Sequence, residues 1–429
     1  MLSHDIRSRL PQLRREFHRY PEPGWCEFRT TSRVVEELER LGVDRIAVGR
    51  EALSTDHRMA VPDESELAFW HERARAAGAR EDVLELTAAG HTGVVATLER
   101  GEGPTVGLRV DLDAISLQES DEPGHRPADE GFVSEHDGYM HACGHDAHLA
   151  IALGTIEAVK ESDFSGTFRV FFQPAEEISG GGKPMTESGH VDDVDYLLGF
   201  HVGLDTPTGT IVAGVEKPLA MAHLTATFEG ASAHAGKAPN EGANAMQAVA
   251  TAIQNAYAIP RHADGMTRVN LGRIEGGIAS NVIAEEITLH GEVRGETMAL
   301  MEYARTELER VLYSAAEMHD CDVTPRVISE SPRVDSDPRL RDLIGHVARN
   351  HDAVEEVVST VEFGASEDAT FLMEHVQGNS GLASYVIVGT DHPTNHHTPT
   401  FDVDERCLGI GVDVLTDAVV ETGRRRPGA

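Results

Sequence analysis

Apolar positions along the chain recur at two spacings. From residue 3 to 20 and from Thr30 to Leu41 they return every three or four residues. In the second stretch Val34, Leu38 and Leu41 share one face, which predicts an amphipathic helix in each. Between about 50 and 90 the chain turns polar and rich in Ala and Arg; it predicts one helix near Glu64–Ala77 and reads as an insertion. Beyond it, short apolar runs at Val94–Leu98, Val106–Val110, Phe168–Phe172, Tyr196–Phe200 and Tyr385–Val388 read as buried strands. Asp146–Lys160 reads as a helix with Leu149, Leu153 and Ile156 on one face. This alternation predicts an α/β fold with a mainly parallel sheet.

Residues 218–332 follow a different pattern. His223–Phe228 alternates as a strand and Ala243–Tyr257 is helical. Arg268–Ile274 and Ile287–Val293 alternate again, Thr297–Met318 is a long helix, and Asp322–Ile328 is a last strand. That order is β-α-β-β-α-β, a ferredoxin-like unit. It predicts a lid or dimerisation domain at 218–332, interrupting a catalytic domain made of 1–217 and 333–429.

Composition narrows the function classes. A chain of 429 residues is too long for one small domain. It has no run of eighteen apolar residues, so no transmembrane helix is expected. Its first residues, Met1-Leu-Ser-His-Asp-Ile-Arg7, lack the basic-then-apolar order of a signal peptide. Cys26, Cys143, Cys321 and Cys407 are scattered, which predicts no disulfide framework and a reducing cytoplasm. The net charge of −35 repels nucleic acid and anionic membrane. Lys160, Lys183, Lys217 and Lys237 are the only lysines. An acid surplus with so few lysines reads as adaptation to high intracellular salt, where ions screen self-repulsion.

The candidate chemistry lies just past the proposed strands, where ligands bind in open α/β sheets. Val106–Val110 runs into Asp111-Leu-Asp113, Phe168–Phe172 into Gln173-Pro-Ala-Glu176-Glu177, and Tyr196–Phe200 into His201. Tyr385–Val388 leads to Asn395-His396-His397, and His141-Ala-Cys143-Gly-His145-Asp146-Ala-His148 opens a helix. Taken singly, each has a structural reading: a strand-end His is usually a hydrogen-bonded surface residue, a Glu-Glu pair a solvated helix start, a Cys among apolar residues inert packing. Together, five segments bring His, Cys and carboxylate to one edge, a donor set for borderline divalent metals. Spacing alone leaves open whether one metal is held or two.

The runs His141-Ala-Cys-Gly-His-Asp-Ala-His148, Gln173-Pro-Ala-Glu-Glu177 and Ser232-Ala-His-Ala-Gly236, with Asn281-Val-Ile and His397-Thr-Pro-Thr-Phe-Asp402, resemble the M20 metallopeptidase family. The likeness spans nearly the whole chain. It is strongest to the amidohydrolase branch that holds hippurate and auxin-conjugate hydrolases. Glu16-Phe-His-Arg-Tyr20, Gly24-Trp-Cys-Glu-Phe-Arg29 and the insert around Arg58-Met-Ala-Val-Pro-Asp63 are similar to A-type subunits of aminobenzoyl-glutamate hydrolases.

The resemblance implies a two-metal amidohydrolase cleaving a small N-acyl amino acid, with p-aminobenzoyl-glutamate a candidate. It implies Cys143, His145, Glu177, His201 and His397 as ligands of two Mn2+ or Zn2+ ions. Glu176 would be the general base toward a water shared by the ions, and Asp113 would orient a ligand. His234 would assist the carbonyl oxygen, in cis or from a partner subunit. Asn281 and Arg294 would contact the substrate carboxylate. His141 and His148 read as residues that pack against or support the ligands. A homodimer, or a heterodimer with a related subunit, is implied as well. Two alternatives stand beside this reading: a non-catalytic or partner-dependent subunit, and an enzyme using Cys143 as a nucleophile.

Overall fold

The computed structural model describes residues 4–424. In chain order its strands are β1 (Arg45–Val48), β2 (Val94–Glu99), β3 (Thr105–Asp111), β4 (Thr167–Gln173), β5 (Tyr196–Val202), β6 (Thr210–Val212) and β7 (Val215–Glu216). They continue as β8 (Ala220–Glu229), β9 (Thr267–Gly276), β10 (Glu286–Gly295), β11 (Asp322–Ser331), β12 (Glu356–Val358), β13 (Val361–Glu362) and β14 (Leu382–Val388). The chain forms two compact units. One holds the chain up to Glu216, Val334–Glu362 and the chain from Asp368; the other holds Lys217–Arg333 and Phe363–Glu367.

The first unit is built on an eight-stranded sheet in the order β1-β2-β4-β3-β5-β14-β6-β12. Its centre, β4-β3-β5-β14, is parallel throughout. Its flanks are not: β1/β2, β2/β4 and β14/β6 are antiparallel. The sheet is therefore mixed, a correction to the mainly parallel expectation. The cause is connection length. Residues 100–104 separate β2 from β3, too few for the crossover that parallel strands need, so β2 runs against its neighbours. The four-residue β1 and the short strands β6, β7, β12 and β13 had no periodic signal to announce them.

The helix His145–Glu161 shows why one-face periodicity understates burial. Leu149, Leu153 and Ile156 are buried as expected, but so are Ala150, Ile151, Ala152 and Gly154 on its other sides. A Cβ on Gly154 would lie 2.8 Å from Leu10 and 2.9 Å from Val412. The small residues let the helices His4–Arg19 and Arg406–Gly423 pack closely against it. Ile6, Leu10, Leu13, Phe17, Leu408, Val412 and Val419 join it in one core with Leu108, Val110, Leu198 and Phe200 of the central strands. The N-terminus of this buried helix is thereby held rigidly at the sheet edge.

The insertion holds more structure than its pattern predicts. Beside Glu64–Ala76, capped by Asp63 accepting from Ser65 N and Glu66 N, it contains a second helix, Glu81–Leu86, and two single 3₁₀ turns.

The second unit is a four-stranded antiparallel sheet in the order β11-β8-β10-β9. Alternate residues of β8 and β10 (Ala222, Leu224, Ala226, Phe228, Ile287, Leu289, Val293) meet Val249, Ala252, Leu308 and Leu312 of helices Ala245–Ala256 and Met298–Met318. The opposite face carries His223, Thr225, Thr227, Glu292 and Arg294. Among the described residues no helix is long and apolar enough to cross a membrane.

Candidate metal centre

The parallel strands β4, β3 and β5 end side by side, and the loops that follow carry the polar clusters. β3 leads into Asp113, β4 into Glu176-Glu177, and His201 lies at the end of β5. Gly144 opens the helix beside them with φ 88°, and a Cβ there would lie 2.5 Å from Val202 Cγ2. Only glycine lets Cys143 and His145 fold against β5. His397 reaches the same place from its own loop, its backbone N donating to Ala142 O at 2.9 Å. Ala175, Ser179 and His397 all hold left-handed backbone at φ 57°, 50° and 59°. Non-glycine residues bear a steric cost there of about 1–2 kcal/mol each, so the surrounding structure enforces these conformations.

Five overlapping donor groups result among the described residues, and Cys143 belongs to two of them. Cys143, His145 and His201 form one; Cys143, Glu177 and His397 form the other; within each, the donor atoms lie within 4.8 Å of one another. The remaining three are Asp111, His145 and His148; His145, Glu176 and Glu177; and Glu176, Glu367 and Asp368. Cys143 Sγ is 3.3 Å from His201 Nε2, and Glu177 Oε2 is 3.4 Å from His397 Nε2. Glu176 Oε2 lies 3.8 Å from His145 Nε2.

Surrounding groups orient the donors. Asp113 accepts from Glu177 N at 3.0 Å through Oδ2, while its carbonyl oxygen accepts from His145 Nδ1. His148 sits behind them. Its Nε2 accepts from Val202 N at 3.0 Å, so its proton is on Nδ1 and is donated to Asp111 at 3.1 Å. Burial, the largest influence on His148, pushes it down to about 4 and keeps it neutral. Burial likewise pushes His141 down to about 3 and His396 to about 4.

His145 goes the other way. Burial disfavours its charged form, but Asp111, Asp113 and Glu177 outweigh burial and raise it to about 10. The pocket therefore draws positive charge to this spot. The donors fit a metal on a further ground. His145 Nε2 and Glu177 Oε1 are buried with no hydrogen-bond partner among the described residues, a costly state that a cation bound between them, displacing the proton on Nε2, would relieve. Thiolate, imidazole and carboxylate together suit Mn2+ or Zn2+, and the centre is a divalent-metal site.

The other sequence candidates lie in the second unit. His234 and Asn281 are neighbours there: His234 bridges to Val282, and Ala235 N donates to Asn281 O at 3.1 Å. Both are exposed. Arg294, on β10, donates to both carboxylate oxygens of Glu292, at 3.1 and 2.9 Å.

Sequence reasoning missed three buried carboxylates that hold the centre's loops. Glu27 accepts from Ala175 N at 2.7 Å, Asp146 pairs with Arg14 at 2.6 Å and His18 at 2.8 Å, and Asp368 binds near Gln173. Glu27 and His18 lie inside the N-terminal segments already singled out by their likeness; Asp368 gave no signal beyond an acid pair before a helix.

An α/β sheet whose strand ends bring Cys, His and Glu together as metal donors fits the class of metal-dependent hydrolases. Residues 107–421 match peptidase family M20/M25/M40, and the chain belongs to that family. It is 40% identical over 422 residues to indole-3-acetyl-aspartic acid hydrolase of Enterobacter agglomerans, covering 97% of each chain. It is also 40% identical over 421 residues to a p-aminobenzoyl-glutamate hydrolase chain of Escherichia coli strain K12, the A-type member of that enzyme, covering 96% of each. The crystal structure of an aminobenzoyl-glutamate utilization protein from Klebsiella pneumoniae superposes with a TM-score of 0.84 at 35% identity, over 97% of this chain and 96% of that one. The chain is a metal-dependent amidohydrolase acting on a small N-acyl amino acid.

Proposed function

We propose that the substrate is an aromatic acyl group joined by an amide to an acidic amino acid, of the p-aminobenzoyl-glutamate type, and that Glu176 is the general base. The convergence of Cys143, His145, Glu177, His201 and His397 beside Glu176 carries this reading. The names of two relatives support the substrate class, since both act on acyl conjugates of aspartate or glutamate.

Divalent ions held by these five residues would supply Lewis acidity and make water a better nucleophile at neutral pH. Glu176 takes the proton of the attacking water and delivers it to the leaving nitrogen. Asp113 keeps His145 and Glu177 in register for this step. His234 donates to the carbonyl oxygen as it becomes negative, while Asn281 and Arg294 hold the substrate carboxylate. The bidentate Glu292 contact partly neutralises Arg294, so substrate must share that guanidinium.

In this reading 1–217 and 333–429 are the catalytic domain, and 218–332 is a ferredoxin-like lid and dimerisation domain. Support for the second role is the edge strand β9, where every residue from Gly272 to Gly276 is exposed, and exposed Ile278 just beyond it. An open edge of this kind invites a partner strand. The partner is a second copy or a related subunit, and the four free cysteines fit a reducing cytoplasm.

A panel of acyl-amino acids assayed on the purified chain, with metal content measured on the same sample, tests the proposal. Aromatic acyl-glutamate or acyl-aspartate should be cleaved fastest. Turnover only after adding a related subunit would make the chain a partner-dependent subunit. No amide turnover with any metal or partner would refute the substrate and base assignments together.

A further inference from the structure

The loop 174–181 carries Glu176 and Glu177, and one buried carboxylate grips both of its ends. Asp368 precedes the helix Thr370–Gly378 and is fully buried. Its Oδ1 accepts from Gln173 Nε2 at 2.6 Å, where the loop begins. Its Oδ2 accepts from Gly182 N at 2.8 Å, where the loop ends. Arg109, also buried, fixes the carboxylate in place: Nη2 donates to Asp368 Oδ1 at 2.9 Å and Nε to Gln173 Oε1 at 2.9 Å. The fit is close, because a Cβ on Gly182 would meet Asp368 O at 2.2 Å and one on Gly181 would meet Pro174 O at 1.7 Å.

We propose that Asp368 is a positioning residue for amide hydrolysis, clamping loop 174–181 so that Glu177 and Glu176 are aimed before metal arrives. The loop needs such a clamp. Two of its residues, Ala175 and Ser179, are left-handed without being glycine, so a free loop would relax away from this shape. The inner ties, Ala175 N to Glu27 and Glu177 N to Asp113, hold its middle. Backbone bonds from Leu112 N to Gln173 O and from Met59 N to Gly180 O hold each end separately, whereas Asp368 joins the two ends to each other. Neutralising Arg109 does not by itself require Asp368, because Asp111 Oδ1 already lies 2.6 Å from that guanidinium. Asp368 spends each oxygen on one end of the loop.

Of the two donor groups that contain Cys143, the clamp acts on one. Glu177 belongs with Cys143 and His397, and again with His145 and Glu176, whereas Cys143, His145 and His201 use no residue of the loop. The inference rests on the assignment of Glu177 as a ligand.

Asp368→Asn keeps an acceptor for Gln173 and turns an amide donor toward Gly182 N; Gln173→Met removes the other tie. In the metal-free full-length protein, hydrogen exchange of peptides spanning 174–182 should rise at least tenfold in each variant, with β3 and the helix His145–Glu161 unchanged. On titration with Mn2+ or Zn2+, one equivalent should weaken at least tenfold and the other by less than threefold. Unchanged loop exchange overturns the clamp, as does exchange that rises equally across β3, β4 and the helix Thr370–Gly378, or equal weakening of both equivalents. If Asp368→Asn does not fold, Gln173→Met decides alone. Glu177→Ala is the separate control: if it still binds two equivalents, the ligand assignment fails, while hydrogen exchange still judges the clamp.

Discussion

His145 donates its Nδ1 proton to the carbonyl oxygen of Asp113 at 2.9 Å, which turns Nε2 toward the other donors, where it carries a proton in the metal-free protein that an ion would displace. His201 repeats the arrangement at the end of β5, donating Nδ1 to Val202 O at 2.7 Å. Backbone carbonyls thus set both ring orientations, and both Nε2 atoms are presented to Cys143 and the carboxylates. The ligand geometry is a property of the strand ends, present without any ion.

Because two donor groups contain Cys143 and only one of these contains Glu177, their removal should differ. Cys143→Ala should retain neither ion after desalting, and Glu177→Ala should retain one, as read by elemental analysis. The metal-free Glu177→Ala protein should also melt below wild type, by about 1 °C for each 1 kcal/mol lost in a chain of this length. Burial opposes the charge of Glu177, but the His397 hydrogen bond and the charges of His145 and His397 outweigh it and hold the carboxyl below its usual range, so the ionised group stabilises the fold. A higher melting temperature would show that its repulsion of Asp113 is the larger effect.

Glu176 groups with His145 and Glu177, and with Glu367 and Asp368, but belongs to neither donor group that contains Cys143. Glu176→Gln should therefore bind two equivalents of metal with wild-type affinity while kcat falls about 10²- to 10⁴-fold, the range for loss of a general base. KM should change little. Near-normal kcat would remove Glu176 from the proton-transfer step.

Much of this centre was legible in the sequence because strand ends are legible. Apolar runs mark β3, β4 and β5, and the residue types that follow them, Asp113, Glu176-Glu177 and His201, already name the chemistry. What the sequence withheld depends on partners far away in the chain. β1 mixes Arg45 with apolar residues and gains its strand identity only from pairing with β2. Asp368 looks like part of a solvated helix start until Gln173 and Gly182 are seen on its two oxygens. His18 reads as one polar position on an amphipathic helix, yet it is buried between Asp146 and Glu119. That Cys143 serves two donor groups follows from three-dimensional placement, which spacing does not encode.

His18 gives the fold a pH dependence of definite sign. Burial disfavours its charged form, but hydrogen bonds to Asp146 and Glu119 outweigh this and raise it from 6.5 to about 9. Arg14, His141 and His125 complete its charged and titratable surroundings. With the folded pKa above the unfolded one, the stabilisation is complete below pH 6.5 and disappears as pH rises through 9. The shift corresponds to about 3 kcal/mol. Thermal melts of metal-free protein should fall between pH 6.5 and 9, and His18→Asn should flatten that slope while lowering stability at pH 6. On the acid side, burial opposes ionisation of Glu119, but His125 and His18 bring it down to about 2. Its contribution is therefore lost as pH falls from about 4.5 toward 2. An unaltered slope in His18→Asn would place the alkaline transition elsewhere.

The charge balance makes a last prediction, in which two electrostatic effects oppose each other. Arginines are spent on surface pairs, as where Arg75 meets both Glu72 and Glu81. Salt weakens such pairs, but each contributes only about 0–1 kcal/mol. Against them stand 72 acidic residues and only 37 basic ones, so each added carboxylate meets a field of like sign. Raising salt from 0.1 to 1 M shortens the screening length from about 10 to about 3 Å, which suppresses this long-range repulsion far more than it weakens contact pairs. Melting temperature in KCl should therefore climb by several degrees from about 0.1 to 2 M, with most of the gain in the first molar, where the screening length changes fastest. Chloride salts are the fair test, because sulfate strengthens apolar burial in any protein. A melting temperature that stays level or drops would mean the ion pairs outweigh the net repulsion, and the high-salt reading of the composition would be wrong.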